Sequence, residues 1–164
     1  MIEIEADIFD FLNDEKTDAI CITTNGIVNS YGLAIMGAGT AGEAARRWQP
    51  IRRVLGHQLS IGKNIPYVIG HIDSDGNYLE PHKDFYEPNI FILSFPTKDH
   101  FKDKSKLSLI ESSAKELVSI ANTLGLKKVI LPVPGCGLGG LDYKDVKTII
   151  EPLFDNRFYI CFKK

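Results

Sequence analysis

Short apolar runs rich in β-branched and aromatic residues recur at positions 1–5, 19–23, 67–72, 89–95, 128–133 and 158–162, and polar stretches separate them. Each run is long enough for one pass across a sheet, so six strands are predicted. Between the strands the apolar period changes. Leu107, Ile110, Ala114, Leu117, Val118, Ala121 and Leu124 repeat every three to four residues and predict a helix over 106–124, with Ser105 placed to cap its start and Gly125 its end. A second helix is predicted over 143–151. Val146, Ile149 and Ile150 share one face of it, Asp142 stands at its N-cap, and Pro152 discourages continuation. A third begins near Thr40 and meets Pro50, which ends or kinks it. Strands alternating with helices predict an α/β chain, a three-layer α/β/α domain on a mixed or largely parallel sheet of about six strands. The polar stretch 73–88, with its Gly, Asn and Pro, reads as a surface excursion. With no repeat and no linker, residues 1–164 are expected to form one domain.

Composition narrows the function classes. With 44% hydrophobic, 24% charged and 10% aromatic residues, the 164-residue chain is neither a disordered nor a fibrous protein. Nineteen basic against 21 acidic residues leave a net charge of −2, which argues against binding driven by overall phosphate neutralisation and leaves room for a local basic patch. Residues 98–106 hold four lysines and two aspartates and read as a polar loop. No apolar run approaches the ~20 residues of a membrane span, and the acidic start lacks the basic region of a signal peptide. The expected setting is the cytoplasm, with no membrane partner. Cys21, Cys136 and Cys161 are odd in number and widely spaced, so neither a disulfide framework nor a metal clamp is indicated. Cys21 and Cys161 lie in apolar runs and read as core residues.

Chemistry concentrates in two glycine loops. Gly135-Cys136-Gly137-Leu138-Gly139-Gly140 follows an apolar strand and precedes a helix, and Gly135, Gly137 and Gly140 match G-x-G-x-x-G. Residues without Cβ let the backbone turn tightly and bring its N–H groups against a phosphate at a helix N-terminus. Gly37, Gly39 and Gly42 repeat the spacing after the 19–23 strand. Two such loops on one sheet edge are able to clasp a diphosphate from both sides; plain tight connections are the alternative. A dinucleotide-binding reading fails on position: that fingerprint normally opens a βαβ unit and needs an acidic residue ~20 positions on, at the end of the next strand, and here 24 residues follow Gly140. The stretch 56–64 misses the P-loop by one residue between its glycines and by Asn64 in place of Ser or Thr, so nucleoside triphosphate hydrolysis is not expected. His57, His71, His82 and His100 show no zinc spacing and no G-x-S-x-G elbow is present; no metal and no cofactor are expected.

Together with Ala6-Asp7-Ile8-Phe9 and Thr23-Thr24-Asn25-Gly26, the two loops resemble a macrodomain in motif order and strand plan over essentially the whole chain. Phe95-Pro96-Thr97-Lys98 and Met36-Gly37-Ala38-Gly39 resemble the branch that holds the terminal ADP-ribose glycohydrolase and the antitoxin macrodomains that reverse DNA ADP-ribosylation. The resemblance implies a monomer that binds ADP-ribose and hydrolyses mono-ADP-ribosyl linkages on protein (carboxylate ester) or nucleic acid. A non-catalytic ADP-ribose reader is the alternative, and phosphatase action on ADP-ribose 1″-phosphate a third.

By the same resemblance, Asp7 accepts from the adenine amino group with Ile8 contributing backbone, unless Asp7 is only a helix cap. Asn25 approaches the distal ribose, or merely forms a turn with Gly26. Gly37, Gly39, Thr40 and Ala41 form one wall; Pro134, Gly135, Cys136, Gly137, Leu138 and Gly139 form the other, with Cys136 offering mainly its N–H. Phe162 stacks on adenine or serves as a core aromatic. Lys98 is the catalytic candidate, attacking or polarising the anomeric carbon of the distal ribose, against the alternative of a solvated surface lysine. An ordinary lysine, pKa ~10.4, is mostly protonated at neutral pH, so the site has to favour the free amine. The eukaryotic glycohydrolase carries an acid where this chain has Gly139. Asp142 is close by but stands where a helix cap is needed.

Overall fold

The computed structural model describes residues 1–81 and 90–163. Seven strands form one sheet: β1 (Ile2–Glu5), β2 (Ala19–Thr24), β3 (Val68–Ile72), β4 (Tyr78–Leu79), β5 (Ile90–Pro96), β6 (Val129–Pro132) and β7 (Phe158–Phe162). Their order across the sheet is β1-β7-β6-β2-β5-β3-β4. Neighbours from β1 to β5 run parallel, whereas β3 pairs antiparallel with β5 and β4 antiparallel with β3. The mixed α/β/α architecture is as the sequence pattern predicts, with one strand more. The added strand, β4, is two residues long and lies in the excursion after Asp73, where Asp73 Oδ1 accepts from the Asp75 and Asn77 amides and turns the chain back onto β3. Two residues carry no readable period. The remainder of that excursion, residues 82–88 with His82, and the first residue of the expected 89–95 strand lie outside the described residues.

Four helices flank the sheet: α1 (Gly39–Arg47), α2 (Ile51–Ile61), α3 (Leu107–Leu124) and α4 (Tyr143–Ile150); a 3-10 turn of helix spans Ile8–Asn13. Pro50 ends one helix and starts another. α1 stops at Arg47, and Pro50, with φ fixed near the helical value, is the N-cap of α2, which the sequence pattern did not predict. Residues 56–61 of the near-miss P-loop are therefore helical. Gly125 closes α3 at φ 67°, in the left-handed region, as expected. The expected Ser105 cap is not formed: Lys106 is the N-cap residue and makes no side-chain capping bond.

The alternation within each strand divides the core in two. Ile20, Ile22 and Ile130 face the 3-10 turn, α1 and α2, while Ala19, Cys21, Val129 and Leu131 face α3 and α4. Both faces of the central strands are covered, which is why these runs are continuously apolar. Phe95, Phe158, Ile20 and Leu93 are among the largest fully buried side chains, each worth about 1.5–3 kcal/mol of transfer free energy. Cys21 and Cys161 are buried in this core as predicted.

Candidate functional site

Parallel pairing brings the C-terminal ends of β1, β7, β6, β2 and β5 to one edge, with Glu5 beside Phe162, Pro132 beside Cys161 and Thr24 beside Pro96. The helix after β2 packs on one face of the sheet and the helix after β6 on the other. Neighbouring strands whose connections part in this way leave a crevice at their carboxyl ends. A cleft of about 440 Å³ lies there. Its lining includes Gly37, Gly39, Thr40 and Ala41 from the first loop, Gly135, Gly137, Leu138 and Gly139 from the second, together with Asn25 and Lys98.

The first wall is a helix N-terminus. Ala38 is the N-cap of α1 and supplies no side chain for capping, and the first turn contains no acid. The orphan amides and the positive end of the helix dipole therefore meet the cleft unopposed. The Thr40 hydroxyl is held 2.9 Å from that of Thr23 at the end of β2, which ties the helix start to the sheet.

The second wall is a backbone nest. The loop is closed by Gly140 N donating to Gly137 O and Leu141 N donating to Gly135 O, with Gly135 at φ 76°. The amides of residues 135–139 donate to no described group. Successive free amides in a turn make an anion-binding concavity. Burial pushes the Cys136 thiol up from its ordinary value, with Asp142 adding to the shift, so its side chain is a neutral thiol and not a thiolate. Gly139 has no room for a side chain: a Cβ would overlap Ser105 Oγ and lie 2.5 Å from Gly135 O. The acid that the eukaryotic glycohydrolase carries at the matching position does not fit this packing. Asp142 is occupied as well, its Oδ1 accepting from Lys144 N at 3.0 Å as the N-cap of α4.

Lys98 stands where β5 leaves the sheet, half-buried, with Nζ donating to Asp103 O at 3.3 Å. Its backbone is clamped from two directions. Asn64 Nδ2 donates to Lys98 O at 3.2 Å and to Asp99 Oδ1 at 3.1 Å, and Gly26 N donates to Asp99 O at 2.8 Å. Lys106 Nζ sits 2.9 Å from Asp99, and its hydrogen bond, with that from Asn64, holds the Asp99 carboxyl below the usual range. A lysine whose backbone is fixed while its amine meets only a carbonyl is free to address a ligand. The Asn25 side chain does the work of a turn brace, donating to Ile35 O and accepting from Ile27 N, both at 2.9 Å.

Asp7, Ile8, Pro134, Cys136 and Phe162 are not in the lining of this cleft. Asp7 caps the 3-10 turn by accepting from Phe9 N at 3.0 Å and pairs with Lys163 Nζ at 3.2 Å. Burial alone would raise its carboxyl, but the Phe9 amide and Lys163 together hold it below the ordinary value. Ile8 is buried in the core and Phe162 packs edge-on against Tyr143 with centroids 4.9 Å apart. Both stand on the same sheet edge as the cleft, beyond β6.

The structure adds residues that the sequence did not single out. Thr24 Oγ1 and Ser105 Oγ are buried at the cleft without a hydrogen-bond partner, although both residues line it. Buried polar atoms left unsatisfied call for a ligand or water. Ser105 is 5% exposed, and only the folding of the 98–106 loop against Gly139 places it there. No signal in the sequence distinguishes it from a cap.

Residues 85–150 match the family model described as Macro domain. Solved structures superpose over nearly the whole chain: the macrodomain of Mycobacterium tuberculosis DarG with a TM-score of 0.70, 24% identity and coverage of 98% of this chain and 95% of that one. This chain resembles the macrodomains in sequence and in fold. The Thermosipho africanus DarTG in complex with ADP-ribose gives a TM-score of 0.74 at 23% identity, covering 99% of this chain and 41% of its own. Among curated proteins, a Mycobacterium tuberculosis protein named DNA ADP-ribosyl glycohydrolase is 27% identical over 143 residues, 84% of this chain and 37% of its length. A Thermosipho africanus fusion protein named DNA ADP-ribosyl transferase-DNA ADP-ribosyl glycohydrolase is 32% identical over 135 residues, 77% of this chain and 32% of its length. This macrodomain-like chain thus spans about a third of the length of the curated relatives it matches. Among its described residues no helix is long and apolar enough to cross a membrane.

Proposed function

We propose that this chain binds ADP-ribose in the cleft and hydrolyses its bond to a modified macromolecule. The observation that carries the reading is the pairing of two amide sets across one crevice, the uncapped start of α1 and the nest at residues 135–139, with Lys98 in the same lining. The diphosphate belongs between the amides. The adenosine half then extends toward Asp7, Ile8 and Phe162, and the distal ribose toward Asn25 and Lys98. In the reaction the anomeric carbon loses its bond to a base nitrogen or an ester oxygen and gains the hydroxyl of water, and the leaving group takes up the proton. Lys98 acts at the anomeric carbon, as nucleophile or as the group that polarises it. The relatives named as DNA ADP-ribosyl glycohydrolases favour a nucleic-acid substrate over a protein ester. The exclusion of an acid at Gly139 favours a second reading, a reader that binds without turnover.

Titration calorimetry with ADP-ribose, beside a product assay on ADP-ribosylated single-stranded DNA and protein, separates the two. Lys98→Ala is expected to keep ADP-ribose affinity while release falls about 100-fold or more. No binding at millimolar ADP-ribose would refute the function itself. Binding without release from either substrate would leave the reader.

A further inference from the structure

Exposed apolar side chains stand on both rims of the cleft beside Lys98. Phe101 is 38% exposed and Leu138 77% exposed; one belongs to the 98–106 loop and the other to the second glycine loop, and both line the cleft. Phe101 is not loose. His100 stacks behind it with centroids 4.4 Å apart and planes inclined at 27°, and the imidazole is fixed in turn because Lys102 N donates to His100 Nδ1 at 3.1 Å. The outcome is a backed aromatic surface three residues from the catalytic candidate.

Charge surrounds that surface. Residues 98–106 carry four lysines and two aspartates, a net +2 in a chain of net −2. Lys106 is spent on Asp99, whereas Lys102 and Lys104 form no ion pair among the described residues. Lys102 Nζ lies 5.9 Å from the Phe101 centroid, and the stem of Lys104 runs beside Gly140 at the opposite loop. Aromatic faces flanked by unpaired cations are the elements by which proteins hold single strands: bases stack on the ring and phosphates follow the charge. A carboxylate side chain of a protein substrate has no aromatic ring to stack and brings no regular anionic flank.

We infer that the 98–106 loop is the leaving-group platform of the cleft, with Phe101 stacking the modified nucleobase, Leu138 covering it from the facing loop, and Lys102 and Lys104 holding the neighbouring phosphates of a single-stranded polynucleotide. The inference rests on the ADP-ribose reading above and specifies where its macromolecule sits.

Binding tests it without turnover, on a Lys98→Ala background. Three probes are compared: free ADP-ribose, a single-stranded oligonucleotide bearing one ADP-ribose on a base, and a peptide bearing one on a glutamate. The oligonucleotide is expected to bind at least tenfold more tightly than free ADP-ribose, the peptide about equally. Adding Phe101→Ala should bring oligonucleotide and free ADP-ribose to within about twofold, and Phe101→Trp should preserve the gap. Adding Lys102→Ala with Lys104→Ala should reduce the slope of log affinity against log salt by about 1.4 for the oligonucleotide. Equal affinity for oligonucleotide and free ADP-ribose, an equal gain for the peptide, or a gap that survives Phe101→Ala overturns the platform while leaving the ADP-ribose site intact. Failure of free ADP-ribose itself to bind brings down both.

Discussion

Two positions where the second glycine loop meets the 98–106 loop set the chemistry that this cleft allows. Gly139 and Ser105 are in mutual contact, so the loop closes only because residue 139 has no Cβ. Gly139→Ala is expected to destabilise the protein by about 1–3 kcal/mol, read as a lower urea midpoint, since the methyl meets the Gly135 carbonyl as well as the Ser105 hydroxyl. Removing the hydroxyl with Ser105→Ala should not rescue it, because the backbone overlap remains. A midpoint unchanged by Gly139→Ala would mean that the loop yields, and that an acid there is sterically tolerable after all. The same scale explains Asn25. Its amide is engaged with Ile27 and Ile35, so it shapes the cleft through the loop it braces.

The helices that follow the two glycine loops treat their N-termini differently. α4 begins with Asp142 bonded to Lys144 N, while α1 begins with Ala38 and leaves its amides to the cleft. Asp142→Ala should cost about 1 kcal/mol in thermal or urea unfolding, the usual worth of such a cap; no loss would show that the second glycine loop alone anchors the helix. Helices with a clean period and punctuated ends, α3 and α4, were legible in the sequence. α2 was not, because Gly56 and the polar residues around it dilute its apolar face. Tertiary contact explains that glycine: a Cβ at Gly56 would overlap the carbonyl of Gly32, so α2 carries a glycine where the Asn29–Gly32 turn crosses it.

Across the whole molecule, the covered sheet sets a pH limit on stability. His71 on β3 is 3% exposed, with its ring edge-on to Phe91 at 4.8 Å, and burial holds its pKa below the ordinary 6.5. Below that ordinary value the unfolded chain takes up a proton that the folded one resists, so stability is complete above about pH 6.5 and falls as the pH drops through it. Between pH 7.5 and 5.5 the protein should therefore lose stability on account of His71. Urea midpoints of wild type and His71→Phe across that range check it: the wild type should decline more steeply. Parallel slopes would show that His71 charges equally in both states.

The sequence by itself determined six strands, the presence and approximate extent of α3 and α4, the αL stop at Gly125, the Asp142 cap and the two glycine loops, because each is written in local spacing and in residues with few conformational options. It also carried the resemblance to macrodomains. Only the tertiary structure decided which loops meet. The two cradles face each other because parallel pairing puts β2 and β6 side by side with their helices on opposite faces, a relation between residues more than a hundred positions apart. Burial of the Thr24 and Ser105 hydroxyls, the exclusion of a side chain at Gly139 and the backing of Phe101 by His100 follow from that packing. Sequence spacing specifies what a segment prefers alone, whereas burial and contact depend on what the rest of the chain brings against it.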